Sequence, residues 1–600
     1  MRKCTSLEMA AFALLLAGHA AAQVTSRVSV DSAGVQGNAD VQFKNRCVSG
    51  DGRYVVFYGD ASNLVPNDTN SAQDVFVRDL WLGITTLVSV DSAGVQGNYH
   101  SYWPTISADG RFVAFESRAT NLVPGDTNGA YDIFVHDLQT GATTRASVDS
   151  SGAQANGNSY GFGCSLSADG RYVAFGSDAT NLVPGDTNGI KDFFVRDLVA
   201  GTTERVSVDS AGVEANATTI EAELSADGRY VVYFSAASNL VPGDTNGVAD
   251  VFLRDRAIGS TTRLSVDPAG VEGNGISRSP SMSADGRYVA YCSWATNLVP
   301  GDANSAADVF VLDRQSGTTT IASLDSSGVA GDSYSYYPSI SADGRWVAFY
   351  SNATNLVPGD TNALPDVFVH DRHSGSTSRV SVDSGGAEGN GFSGWPVISG
   401  DGSIVAFMSD ASNLVAGDSN AFRDVFVHER AASHFTSLCD PGVGGVSACP
   451  CANPPSGSGR GCDNSSATGG AVLTAGGVAY LALDSLVFTT SGEKPAATSI
   501  LLQGDAAVPA GVAFGQGVRC AGGALKRLFV KTAVGGSVTA PDFGAGDPTI
   551  SARSAALGDA IQAGQSRWYL VYYRDPTVLG GCPGSSTFNA TQTGVVGWWP

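Results

Sequence analysis

The sequence predicts an all-β chain built around a seven-bladed β-propeller closed by an N-terminal strand and followed by a small disulfide-linked, sandwich-like β-domain. Three observations predict the propeller: a fixed repeat, four strand-like runs per repeat, and one displaced copy of the fourth run. The Asp-Gly dipeptide of the repeat falls at Asp51, Asp109, Asp169, Asp227, Asp285, Asp343 and Asp401, at intervals of 58 residues with a single interval of 60. A constant period of this size means one supersecondary unit stacked on its own copies. In the second unit the runs are WPTIS, RFVAFES, DIFVHDL and TTRASVD. Asp109-Gly110 and Thr140-Gly141 make the tight turns, and β-branched and aromatic residues alternate with polar ones inside the runs. Four antiparallel strands per repeat without helical periodicity is the pattern of a propeller blade. The first three runs occur seven times, the last set at 396–430, whereas a copy of the fourth, TSRVSVD, stands at 25–31. This N-terminal strand is expected to complete blade seven beside 425–430 and so remove the free sheet edges.

The segment SADGRYVAF at 167–175 resembles the SPDG-x-x-I-A-F core of the PD40, or WD40-like, repeat of TolB-like propellers, and the resemblance covers about 25–430. It implies the fold and little of the function, since that family holds periplasmic protein-binding propellers and the non-catalytic propellers of some peptidases. This chain has Ala where the family has Pro, and a long GDTNG loop. The motif contains no catalytic residues, so none carry over.

Six hundred residues leave room for one further domain. Residues 1–22 read as a signal peptide: Arg2 and Lys3, the apolar MAAFALLLAG, then small residues up to Ala22. No other apolar run is long enough to span a membrane. The propeller is assigned to 23–438, a Cys-, Gly- and Pro-rich linker to 439–469, and a β-domain to 470–600. That last module resembles uncharacterised C-terminal modules of large secreted bacterial proteins. Cys439, Cys449, Cys451, Cys462, Cys520 and Cys582 form an even set, which in an exported module reads as a disulfide framework. Cys47, Cys164 and Cys292 lie in alternate blades and read as small buried hydrophobes.

The net charge is −22, and because acids and bases balance at nine each in 439–600, the excess lies in the propeller. Nucleic acid is excluded as a partner, because phosphate binding needs Lys and Arg. Most of the acids are turn and strand-end Asp repeated with the template.

The loops joining strands two and three should share one face of the ring with the loops between blades. Each strand-two-to-three loop repeats Asp, Asn and Asp at relative positions 1, 3 and 7: Asp68, Asn70, Asp74; Asp126, Asn128, Asp132; Asp186, Asn188, Asp192; Asp244, Asn246, Asp250; Asp302, Asn304, Asp308; Asp360, Asn362, Asp366; and Asp418, Asn420, Asp424. Hard oxygen ligands on a tight turn suit Ca²⁺, the one cofactor the sequence suggests. The other reading is that these side chains cap their own turns.

One segment varies between units, the loop that enters the innermost strand. It carries Phe43, Lys44, Tyr99, His100, Tyr102, Trp103, Tyr160, Phe162, Glu221, Arg278, Tyr334, Tyr336, Tyr337, Phe392 and Trp395. These should ring the mouth of the central channel on the loop face. Aromatics interleaved with a few polar groups suit a sugar, a peptide or a protein tip. Packing between blades is the competing reading. The series Arg78, His136, Arg196, Arg254, His370 and His428, interrupted by Leu312, is expected to make local hydrogen bonds rather than bind metal. Residues 157–161 match G-x-S-x-G but lack the strand–turn–helix context of a nucleophile elbow.

The expectation is therefore a monomeric, secreted, cell-surface or periplasmic scaffold that binds a protein, peptide or glycan and performs no chemistry. The alternatives are a propeller-type glycan hydrolase or lyase, for which only His100, Glu221 and Arg278 are placed, and a calcium-stabilised structural envelope protein.

Overall fold

The computed structural model describes residues 24–430 apart from 45, 67, 81 and 303, then 435–439, 462, 471–476, 486–542, 547–574, 588–591 and 593–597, apart from 494, 515, 516, 563 and 564. The expected signal peptide and Cys449, Cys451 and Cys582 lie outside the described residues. Two compact units separate, Val24–His434 and one that includes Phe435–Trp598.

Among the described residues the first unit holds seven four-stranded antiparallel sheets, six of them in chain order from inside outwards. We number them as blades one to seven. Blade two is Ser101–Ile106, Phe112–Ser117, Asp132–Asp137 and Thr143–Arg145. Blade seven takes its outer strand from Val24–Arg27, which pairs antiparallel with Asp424–Glu429. The N-terminal strand also supplies the side-chain bonds that the other blades make for themselves. Ser29 Oγ donates to Asp424 Oδ1 at 2.6 Å, as Ser207 does to Asp192 at 2.5 Å.

The repeated SADGR segment is a polar turn that closes on itself. Ser167 Oγ donates to Asp169 Oδ1 at 2.7 Å and accepts from the Tyr172 amide at 2.9 Å, while the Arg171 amide donates to Asp169 Oδ1 at 3.1 Å. The Arg171 side chain then reaches Asp197 at the end of strand three, with Nη2 to Oδ2 at 2.8 Å. Bidentate pairs of this kind are among the stronger ion pairs.

The same turn joins successive blades. A Cβ on Gly228 would lie 2.3 Å from the Tyr172 ring of the preceding blade; the matching distances are 2.6 Å for Gly286 and Tyr230, 2.1 Å for Gly344 and Tyr288, and 2.6 Å for Gly52 and Ile404 across the closure. Four of the blade-joining aromatics also meet an arginine that follows strand three of the next blade. Arg256 sits 4.6 Å over Tyr172, Arg314 4.4 Å over Tyr230, Arg372 4.5 Å over Tyr288 and Arg430 3.8 Å over Trp346. Backbone bonds run round the ring beside these contacts: Gly50 to Ala108, Asp109 to Ala168, Ala168 to Ala226, Ala226 to Ala284, Ala284 to Ala342, Ala342 to Gly400, and Asp401 back to Gly50, all between 2.8 and 3.2 Å. The circuit returns to its first residue, so the sheets form a closed β-propeller ring. Apolar layers fill the space between blades, as with Ile133 and Val135 against Val173 and Phe175. Cys47 and Cys164 are buried free thiols in these layers, and Cys292 is a buried free thiol that donates to the Arg278 carbonyl at 3.4 Å.

In the second unit one sheet runs Phe435–Cys439, Thr593–Gly597, Ser566–Arg574, Thr498–Gly504, Lys526–Thr532, with Phe588–Ala590 alongside. A three-stranded sheet and a hairpin accompany it. A helix runs over Ile550–Ala556, and Thr549 caps it by accepting from the Ala552 amide at 3.2 Å. Cys462 and Cys520 are buried and disulfide-bonded. No helix among the described residues is long and apolar enough to cross a membrane.

Gly228→Ala is expected to destabilise the ring by about 2–4 kcal/mol, since a left-handed backbone and an overpacked ring contact both oppose the methyl group. In urea denaturation, Tyr172→Ala should offset part of that loss; strictly additive effects would contradict the contact.

Candidate functional site

The site is built on a kink in the innermost strands. In blades two to seven the pairing of strand one with strand two shifts register near its middle. At the kink stand Trp103, Gly163, Glu221, Ser279, Tyr337 and Trp395, all with left-handed φ between 47° and 82°. Only Gly163 is relaxed there; bulky side chains in this region are strained, and such bulges re-aim side chains next to functional sites.

The re-aimed side chains meet at the channel mouth around Lys44 of blade one. Its Nζ lies 3.3 Å from Glu221 Oε1, with the Phe162, Tyr337 and Trp103 rings around it. Burial pulls the Lys44 ammonium below its ordinary pKa, against the opposing pull of Glu221. Trp395 continues the wall, 6.4 Å from Tyr337 and 5.2 Å from Phe392. Deeper in the channel Arg46 of blade one forms a salt bridge with Glu223 of blade four. Below it, on the tight-turn side, a cavity of about 100 Å³ is bordered by Arg46, Glu223 and the collar of small residues from Gly50 to Gly400.

The fifteen channel-loop residues singled out by sequence divide into two groups. Lys44, Trp103, Phe162, Glu221, Tyr337 and Trp395 converge. The others pack along or between blades. His100 accepts from the Gln73 amide at 2.9 Å and stacks on Tyr102 at 5.8 Å, while Tyr99 lies edge-on to it. Tyr160 donates to Asp178 at 2.5 Å. Arg278 lies 4.6 Å over Trp294 and 5.8 Å over Tyr336, which Tyr334 stacks against. Phe392 faces Arg423, itself paired with Asp410 at 2.8 Å. Phe43 is a core residue. His100 is therefore spent on a blade contact, and the acid–base set of His100, Glu221 and Arg278 is not assembled.

Sequence reasoning missed Glu116. It sits on strand two of blade two, is buried, and accepts from the Gly161 amide at 2.7 Å. Burial pushes its carboxyl up to about 7. No repeat position announces it, because the other blades carry different residues there. Ser159 of the G-x-S-x-G match is buried in a strand and bonded to Ser177 at 3.0 Å.

The Asn side chain of each Asp-x-Asn loop is satisfied within the fold. Each Asn Oδ1 accepts from the amide two residues on, as in Ala130 to Asn128 at 3.1 Å, and each Asn Nδ2 donates to a carbonyl of the following connection, as in Asn128 to Ala155 at 3.0 Å. Three carboxylate groups gather closely in blades three, four and six: Asp186, Asp192 and Glu214; Asp244, Asp250 and Glu272; Asp360, Asp366 and Glu388. An arginine lies among each. Arg205 Nη1 is 3.5 Å from Asp186, 3.1 Å from Asp192 and 2.7 Å from Glu214, and Arg263 and Arg379 repeat this. Arg145 and Arg27 do the same in blades two and seven with Asp126, Asp132, Asp418 and Asp424. The cation these acids face is thus a guanidinium. In blades one and five, Leu87 and Ile321 hold the arginine's position opposite the strand-three Phe. There burial pushes Asp74 and Asp308 up to about 6. The recurrent His and Arg series makes local bonds: His136, His370 and His428 each pair a ring Nδ1 with a Thr hydroxyl at 2.8–2.9 Å, and Arg196 Nη1 donates to Thr203 at 3.1 Å.

No protein-family model and no curated protein matches the chain. Solved structures similar to it include a putative TolB from Agrobacterium tumefaciens, 16% identical with a TM-score of 0.30, covering 49% of this chain and 83% of that one. A prolyl endopeptidase is 11% identical with a TM-score of 0.40, covering 76% of this chain and 54% of that one. The acylaminoacyl peptidase of Pyrococcus horikoshii is 12% identical with a TM-score of 0.37, covering 62% and 49%. The fold assignment rests on the sheets and ring bonds above.

Asp74 and Asp308 ionise less readily folded than unfolded, so the folded chain holds extra protons between about pH 4 and 6 and loses stability as pH rises through that window. Ile321→Arg should restore the missing ion pair, gaining about 1–3 kcal/mol at pH 7 and little at pH 3.5. Melting curves across that range check it; an equal gain at both pH values would contradict the pairing.

Proposed function

We propose that the protein is a secreted or periplasmic TolB-like propeller of seven blades, sealed by its N-terminal strand, that binds a protein, peptide or glycan at the channel mouth on its loop face and performs no chemistry. The convergence of strained, left-handed Trp103, Glu221, Tyr337 and Trp395 on one spot carries this reading. Holding large residues there costs on the order of 1–3 kcal/mol each, which packing alone does not require, since Gly163 and Ser279 fill equivalent places. Amphipathic rings with one buried carboxylate and one buried ammonium form a surface for a partly apolar, partly polar group. The internal guanidinium in five loops favours this scaffold over a calcium-stiffened envelope protein.

Peptide and glycan arrays probed with the mature protein test the reading. Trp395→Ala and Trp103→Ala should weaken capture of the selected ligand by at least roughly tenfold while leaving the melting temperature within a few degrees. Undiminished capture by both variants would overturn the site, and turnover of the captured ligand would overturn the non-catalytic reading. Melting with calcium and with chelator should give superimposable curves; a shift of several degrees would return the Asp-x-Asn loops to the metal reading.

A further inference from the structure

Building on the reading of the mouth as a binding site, we infer that it is a cage for an alkylammonium group, and that Lys44 occupies it as an internal stand-in which such a group displaces. Side chains of four other blades meet on the Lys44 ammonium. Its Nζ is 3.1 Å from the centre of the Phe162 ring, 5.6 Å from Tyr337, 5.8 Å from Trp103 and 3.3 Å from Glu221 Oε1. Ring faces attract a cation through their quadrupole, more strongly where water is excluded, and a carboxylate fixes its charge. The Lys44 and Glu221 side chains are only 11% and 4% exposed.

Three features distinguish this from a fixed structural ion pair. Glu221 offers Lys44 a single oxygen; its Oε2 is buried without a hydrogen-bond partner. An unmet buried acceptor is costly, and an incoming group with more N–H donors would satisfy it. The Glu221 backbone holds its left-handed φ of 49° through its own strand, so the carboxylate stays placed when Lys44 leaves. Lys44, by contrast, follows the shortest inner strand. Val41–Gln42 is two residues long and the next ladder contact is the Val48–Val55 bridge, whereas the other inner strands run six to eight residues. Its side chain can swing out without breaking a ladder bond. The chain's charge of −22 draws cations towards it. A lysine side chain of a polypeptide and a free polyamine present the same group.

Isothermal titration of the full chain and of Lys44→Ala with n-butylammonium tests the cage. Removal of the internal competitor should tighten binding roughly tenfold or more. Neutral n-pentanol should bind neither form, and Glu221→Gln added to Lys44→Ala should abolish the gain. Lys44→Ser vacates the same space and replaces Lys44→Ala if that variant does not fold. Equal affinity of the two forms for butylammonium, or pentanol binding as well as butylammonium, overturns the inference. Spermidine and the tripeptide Gly-Lys-Gly assign the source: tighter binding of either to Lys44→Ala supports the cage, and of neither overturns it. An array ligand that needs Trp395 but gains nothing from Lys44→Ala would sink the cage alone, whereas a ligand indifferent to Trp395 would sink the site beneath it.

Discussion

The propeller depends on one exclusion: the glycine of each Asp-Gly turn has no side chain, and a side chain of the preceding blade, a ring in six turns and Ile404 at the closure, fills the space. A tight turn needs a left-handed residue, and that alone would admit Asn. The neighbouring ring does not. A Cβ on Gly344 would stand 2.1 Å from Tyr288. The local demand of a hairpin and the global demand of blade packing therefore fall on the same atom. The arginine capping the ring and the backbone circuit from Gly50 to Gly400 are in register because this contact sets the distance between blades.

Much of this was legible in the sequence because repetition turns one inference into seven. The Asp-Gly period gave the sheets, and the misplaced TSRVSVD copy gave the partner of Asp424–Glu429. The mouth was legible only as a region. Variation between units marked 99–103 or 333–337 as freed from packing duty, but could not show which of Tyr336 and Tyr337 faces the channel. That is decided by a register shift of the inner strand, which a period-two pattern does not reveal. Gly163 was the one sequence trace of it, a glycine where other blades carry Trp, Glu, Ser or Tyr. In the second unit the helix at Ile550–Ala556 starts where Thr549 caps it.

The acidity of the chain has a different origin from its use. Asp192, Asp250 and Asp366 are fully buried, and each is held by a Ser hydroxyl, an Asn amide and an Arg guanidinium. In blades one and five, with Leu87 and Ile321 in place of arginine, Asp74 and Asp308 are the hardest of the seven equivalent aspartates to ionise. The loops are one design with two unfinished copies, and the difference between them is electrostatic rather than conformational. The surface charge that remains steers cations generally; at the mouth that attraction is joined by rings and a positioned carboxylate.

Pairing of Val24–Arg27 with Asp424–Glu429 also sets the order in which the domain can be made. The propeller's first strand must wait for its last. Until residue 429 is available, six blades can stack while the Val24–Arg27 strand has no partner and the ring stays open. The entropy of joining ends so far apart grows only with the logarithm of the separation, so equilibrium tolerates the arrangement. Kinetics is less forgiving: a partly synthesised chain, or one truncated short of blade seven, presents unpaired strands to any neighbour in the same condition. Closure is thus a checkpoint on completeness, and the segment it consumes is the one a holding chaperone would have most reason to cover.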